Sequence, residues 1–207
     1  MGKVLRLGFL VSGRGSNLQA ILQACRDGRL KATPAVVISN NTDSGALALA
    51  RDAALPAYHL SSKTHPDPKI LDRTITAILQ KHEVDLVVLA GYMKKLGPIT
   101  LRAYRNRILN IHPSLLPNHG GQGMYGMAVH EAVLRAGEKE TGATVHLVDG
   151  EYDTGRILAQ RRVPVRRDDT AAALAARVLE TEHELYVEVL RGIIDGEIKL
   201  PVEDMVD

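Results

Sequence analysis

Two rhythms of apolar residues alternate along this chain. Leu5–Val11 (LRLGFLV) is a short apolar run that predicts a strand. Ser16 then stands as an N-cap, and Leu18, Ile21, Leu22 and Cys25 follow at helical spacing. The pattern repeats: residues 35–39 predict a second strand, the alanine-rich 44–54 a helix, and 57–60 a short strand. Ile70, Leu71, Ile75, Ile78 and Leu79 make a helical stripe within 66–82. Residues 84–90 (VDLVVLA), bounded by Gly91, read as a strand buried on both faces. Further on, 99–104 predicts a short helix, and 107–111 a strand ended by Pro113. A helix over 127–136 closes at Gly137, two strands follow at 143–148 and 157–165, and 170–194 is a long amphipathic helix.

Strand–helix alternation over the first half predicts an α/β fold, a mostly parallel twisted sheet with helices on both faces. The last two strands follow each other with one loop between them, which predicts a partly antiparallel end. No repeat, low-complexity tract or linker interrupts the pattern, so one domain over 1–207 is expected, with 200–207 as a loose tail. A chain of 207 residues with 45% apolar content can bury a core of that size.

Charge narrows the partners. With 26 basic and 24 acidic residues the net charge is +2, which gives no ground for expecting nucleic acid or an anionic membrane. Phe9, six tyrosines and no tryptophan offer little for stacking single-stranded bases. The start lacks the apolar stretch of a signal peptide, and no run is long enough to span a bilayer, so a cytoplasmic protein is expected. The lone Cys25 excludes an intramolecular disulfide and reads as a buried packing residue.

Three segments carry candidate chemistry. Ser12-Gly13-Arg14-Gly15-Ser16-Asn17 joins a strand to a helix. Glycines let the backbone approach a ligand, and free N–H groups at a helix start attract anions, so a phosphate is a reasonable guest and a plain tight turn the alternative. A Walker loop would need Gly-Lys-Ser/Thr, and the dinucleotide fingerprint a glycine where Leu18 stands. Asn110-Ile111-His112-Pro113-Ser114-Leu115-Leu116-Pro117 puts an amide and an imidazole two apart on a strand, hence on one face, at a strand end. Aimed at one point, they can bind a developing oxyanion and move a proton; a capped strand end is the bland reading. Asp153, on the glycine-bounded loop 149–155, can meet His112 only through the fold. A carboxylate there raises the pKa of an imidazole, although Asp and Gly are also ordinary turn residues.

Other signals fail. His130-Glu131 lacks the second histidine of a zinc helix, because Leu134 stands in its place. One cysteine makes no zinc knuckle, and no Gly-x-Ser-x-Gly elbow is present, so no metal is expected. His59, His65, His82 and His119 read as surface residues, and His183 stays ambiguous.

Taken together, SGRGSNLQAI, NIHPSLLP and the Asp153 loop resemble the folate-dependent formyltransferase family, over residues 5–201. The resemblance implies the Rossmann-like formyltransferase fold, with 10-formyltetrahydrofolate as co-substrate and phosphoribosylglycinamide as formyl acceptor. It implies Asn110, His112 and Asp153 as catalytic residues and His146 as their support. Gly15, Ser16 and Asn17 match the ribonucleotide phosphate loop, and Glu182 a second contact to that substrate. Met93, Lys94, Lys95 and Leu96 match one folate-binding segment, and Asp149, Gly150, Glu151 and Tyr152 the other. Two departures stand out: Pro68-Lys69 replaces an arginine of bacterial members, and 118–126 is long and glycine-rich, a rim or flap. A formyltransferase for another amine, or a catalytically silent binding module, are the rival readings. The oligomeric state, monomer or homodimer, stays open.

Overall fold

The computed structural model describes residues 4–201. Seven strands form one sheet in the order β3-β2-β1-β4-β5-β6-β7. They are β1 (Leu5–Val11), β2 (Ala32–Ser39), β3 (Ala57–His59), β4 (Leu86–Leu89), β5 (Ile108–His112), β6 (Glu140–Leu147) and β7 (Ile157–Pro164). β1 to β5 pair in parallel, while β6 and β7 run antiparallel to their neighbours, so the expected fold class holds. The helices are α1 (Ser16–Arg26), α2 (Gly45–Asp52), α3 (Pro68–Lys81), α4 (Pro98–Ala103), α5 (Met127–Arg135) and α6 (Ala171–Ile194). The expected tail at 200–207 lies mostly outside the described residues.

Period-two alternation divides the core between the faces of the sheet. Leu7, Phe9 and Val11 of β1 pack with Leu18 and Ile21 of α1, Leu47 of α2, and Leu185 and Tyr186 of α6. Leu10, on the opposite side, packs with Val36 and Ile38 of β2 and with Ile75 and Leu79 of α3. A smaller cluster joins Val133 of α5, Val163 of β7, and Leu174 and Val178 of α6. Side chains cap three of the helices: Ser44 accepts from Leu47 N–H, Asp67 from Lys69 and Ile70, and Thr170 from Ala173.

Some boundaries differ from the sequence reading. β2 begins at Ala32 rather than at residue 35, because Pro34 is taken up beside a register shift against Leu7 and Gly8. β6 begins at Glu140 rather than at residue 143, paired there with Pro164 of β7. Cys25 is half-buried rather than buried; desolvation, then the charge of Asp27, pushes its thiol up to about 11.

The chain order reverses at β1, with β2 on one side and β4 on the other. In open sheets of this kind, ligands bind beyond the carboxyl ends of the strands at that switch point. The ends of β1, β4 and β5 all open there into one cavity.

Candidate active site

The cavity, about 680 Å³, is lined by the 13–17 loop, by 90–93 after β4, by Asn110–Pro113, by 121–127, and by Tyr152, Asp153 and Glu182. Five hydrogen bonds tie together the strand ends beside it. Ser12 Oγ donates to Asn40 Oδ1 (2.5 Å) and accepts from Met93 N–H (2.8 Å), tying β1 to the segment after β4. Ser12 N–H in turn donates to Gly91 carbonyl (3.1 Å). From α6, the buried Tyr186 hydroxyl reaches the carbonyls of Leu89 (3.1 Å) and Leu109 (3.0 Å), across the ends of β4 and β5.

The loop after β1 corrects one expectation. Ser16 is not the N-cap but the first helical residue. The cap is Gly15, left-handed at φ 83, and no side chain bonds the first turn. Glycine is required there twice over: for the positive φ, and because a Cβ would come within 2.7 Å of Ala46 Cβ. The uncapped turn leaves its N–H groups directed at the cavity, the arrangement suited to an anion. Within that turn Asn17 is buried, and its Nδ2 donates to Glu182 Oε2 (2.9 Å) while its Oδ1 has no partner among the described residues. Burial lifts the Glu182 carboxyl to about 7, against the pull of Asn17.

The β5 end is held by a polar frame. Thr144 on β6 donates its hydroxyl to Ser114 carbonyl (2.6 Å) and accepts from Leu116 N–H (3.1 Å). Ser114 Oγ donates to Asn118 carbonyl (2.6 Å). This frame is what the Pro-Ser-Leu-Leu-Pro segment builds, and it turns the chain sharply after His112.

Antiparallel pairing sets His146 opposite Asn110. His146 Nδ1 lies 2.8 Å from Leu147 carbonyl, which can only accept, so the proton sits on Nδ1 and Nε2 accepts from Asn110 Nδ2 (3.1 Å). The second N–H of the Asn110 amide remains for the cavity. Asp153, left-handed at φ 59, brings its carboxylate 3.4 Å from both His112 Nδ1 and His146 Nε2. It also accepts from Gly121 N–H (2.9 Å). The structure thus brings Asn110, His112, His146 and Asp153 into one cluster.

The electrostatics reverse one expectation. Asp153 does favour the charged imidazole, but burial of His112 is the larger effect, and its pKa falls below the usual histidine value. His112 Nε2–H donates to His119 carbonyl (2.8 Å), so the glycine-rich segment reaches directly onto the ring. Asp153 is itself held low: burial opposes ionisation, but the His112 charge and Gly121 N–H outweigh it.

Of the remaining candidates, Gly15, Ser16, Asn17, Met93, Tyr152 and Glu182 line the cavity. Lys94, Lys95, Leu96, Gly150 and Glu151 line a narrower hollow that also touches Asn110, His146, Tyr152 and Asp153. Asp149 lines neither; its carboxylate accepts from Thr154 Oγ1 (3.1 Å) and braces the loop. Pro68 and Lys69 open α3 and line neither as well. The four histidines read as surface residues are half-buried, and His119 belongs to the site through its carbonyl. His130, which fits no zinc motif, is buried in the cavity wall. Its signal was its place beside Val129 and Val133 on the buried side of α5. Among the described residues, no group of three or more His, Cys, Asp or Glu could hold a metal ion, and no helix is long and apolar enough to cross a membrane.

Residues 5–190 match the model of the formyl transferase family. The chloroplastic phosphoribosylglycinamide formyltransferase of Vigna unguiculata is 46% identical over 194 residues, which are 93% of this chain and 62% of that protein. The phosphoribosylglycinamide formyltransferase of Escherichia coli K12 is 38% identical over 196 residues, 95% of this chain and 90% of that one. The crystal structure of glycinamide ribonucleotide transformylase 1 from Symbiobacterium toebii superposes with a TM-score of 0.90 at 41% identity, covering 97% of this chain and 92% of that one. With its fold, its cavity and these likenesses, the chain belongs to the formyl transferase family.

Proposed function

We propose that this chain, as one domain, transfers the formyl group of 10-formyltetrahydrofolate to the amine of phosphoribosylglycinamide. The products are N-formylglycinamide ribonucleotide and tetrahydrofolate, a step of purine biosynthesis in the cytoplasm. The observation that carries this reading is the meeting of Asn110, His112 and Asp153 in the same cavity as the uncapped turn at Gly15. That turn suits the phosphate, while Glu182 and the unpartnered Asn17 Oδ1 suit ribose hydroxyls. The hollow beside Lys94, Lys95 and Leu96 has apolar walls in Leu89, Leu101 and Val148, a fit for the flat ring of a folate. Holding the two substrates in adjoining pockets, which share Asn110, Tyr152 and Asp153, makes their encounter effectively intramolecular.

When the amine adds to the formyl carbon, negative charge develops on the formyl oxygen. Asn110 donates its free amide N–H to that oxygen, and Asp153 and His146 keep the amide and the His112 ring in place. His112 is biased towards the neutral form by burial, and the developing oxyanion beside it favours protonation. A proton leaves the attacking amine, and one reaches the departing folate nitrogen. For His112 Nε2–H to reach the oxyanion, the segment 118–126 must release it from the His119 carbonyl. The test is formation of tetrahydrofolate with and without phosphoribosylglycinamide, for wild type and His112→Ala. Turnover that needs the amine and is lost in the variant supports the reading. Turnover without the amine, as in a deformylase, or none at all, overturns it.

A further inference from the structure

The proposed mechanism makes no use of His130, whose ring lies in the cavity wall and is 4% exposed. Its Nδ1 is sealed from solvent and has no hydrogen-bond partner among the described residues. That orphan atom decides the tautomer. A buried N–H without an acceptor is rarer and costlier than a buried bare lone pair. The proton therefore belongs on Nε2, and the ring turns one N–H donor towards the cavity.

The place of that donor suggests its acceptor. α5 packs on α6, the helix that carries Glu182. At the other end, the ring is close enough to His112 to feel its charge. His130 thus stands between the reacting end of the cavity and the end suited to ribose. In phosphoribosylglycinamide, the group between the reacting amine and the ribose is the amide carbonyl. We infer that His130 reads the acceptor substrate, its Nε2–H donating a hydrogen bond to the glycinamide carbonyl oxygen. This rests on the proposed function.

A neutral ring is what such a donor needs. Burial, then the charge of His112, lowers the His130 pKa, so it stays neutral near pH 7. The charged groups and the histidine that line the cavity with it are Arg14, His112 on β5, Asp153 and Glu182 on α6. An acceptor site with a buried donor also discriminates, because a ligand without the carbonyl leaves that donor unpaired.

The experiment is calorimetric binding of phosphoribosylglycinamide, ribose 5-phosphate and a 10-formyl folate analogue to wild type, His130→Ala and His130→Gln. The alanine variant is expected to bind phosphoribosylglycinamide about tenfold more weakly, the worth of one hydrogen bond. Ribose 5-phosphate and the folate analogue should bind as to wild type, and glutamine, which keeps an N–H donor, should recover most of the loss. Equal weakening for ribose 5-phosphate would overturn the carbonyl assignment, and weakening for all three ligands would reduce His130 to packing. The imidazole ¹⁵N shifts give a second reading that needs no variant, and a proton found on Nδ1 overturns the inference. A wild type that binds ribose 5-phosphate but shows no gain for phosphoribosylglycinamide overturns the functional reading itself. A variant indistinguishable from a competent wild type overturns only the role of His130.

Discussion

At the scale of single residues, the site is a set of hydrogen bonds that leave chosen atoms free. Asn110 spends one amide N–H on His146 Nε2 and keeps the other. Removal of an oxyanion donor typically costs about 100–1,000-fold in rate. Asn110→Ala is therefore expected to lower kcat by that order, with thermal unfolding little changed, since Asn110 is only half-buried. A steady-state formyl-transfer assay checks it, and near-full activity would remove Asn110 from the chemistry. Asp153 acts through charge. Its carboxylate pulls the His112 pKa up against burial, so Asp153→Asn lets it fall further. If protonated His112 supports the reaction, activity falls as pH rises through its pKa, and the variant moves that limb to lower pH. Unmoved limbs in the pH dependence of kcat/KM would separate Asp153 from His112. At this scale the sequence was informative where spacing sufficed. Asn110 and His112 share a face because strands have period two, and Asp153 joins them as expected. The sign of the His112 shift was not legible, because burial depends on β6 and on the 118–126 segment folding over the ring.

At the scale of elements, local rules succeed until a distant element presses in. Residues 16–26 have the stripe of a helix, and Ser16 has the chemistry of a cap, yet the cap is Gly15. The reason lies in α2: Ala46 N–H donates to Gly13 carbonyl (3.2 Å), and its side chain fills the space a Cβ on Gly15 would need. No window of sequence around Ser16 contains that contact. Gly15→Ala should therefore do two things at once. It places a side chain at positive φ and against Ala46, which should cost about 1–3 kcal/mol of stability. It also displaces the N–H groups proposed to hold the phosphate, so KM for phosphoribosylglycinamide should rise at least about tenfold while that for the folate changes little. Urea unfolding and the two KM values test both parts, and an equal rise in the two KM values would count against a phosphate site there. Pro34 shows the same limit in a strand. Proline reads as a boundary, but the register shift against β1 absorbs it, and β2 extends back to Ala32.

At the scale of the whole molecule, placing polar groups in the cavity wall makes stability depend on pH from both sides. His112 and His130 in that wall, and His183 outside it, all have pKa values lowered by burial, so below the usual histidine value the folded state binds fewer protons than the unfolded chain. Their contribution is present above that value and is lost as pH falls through it. Glu182 acts in the opposite direction. Its carboxyl is raised by burial from 4.5 to about 7, so between those values the folded state keeps a proton that the unfolded chain has released. Stability from this group falls as pH rises through that window and is level above it, a total on the order of 3 kcal/mol. A cavity built only for packing would not carry such a carboxyl; its cost fits a group kept for a ligand, with Asn17 as its one hydrogen-bond partner among the described residues. Glu182→Gln keeps the size and an acceptor for Asn17 Nδ2 but cannot ionise. Its urea midpoint, compared with wild type from about pH 5 to about pH 8, should gain steadily on the wild type as pH rises and stop gaining above about 7. A difference that stays constant across that range would mean that Glu182 is already ionised in the folded protein, with a cation or donor in the cavity supplying what Asn17 alone does not. A difference still growing well above about pH 7 would mean that burial holds the proton on Glu182 more tightly still.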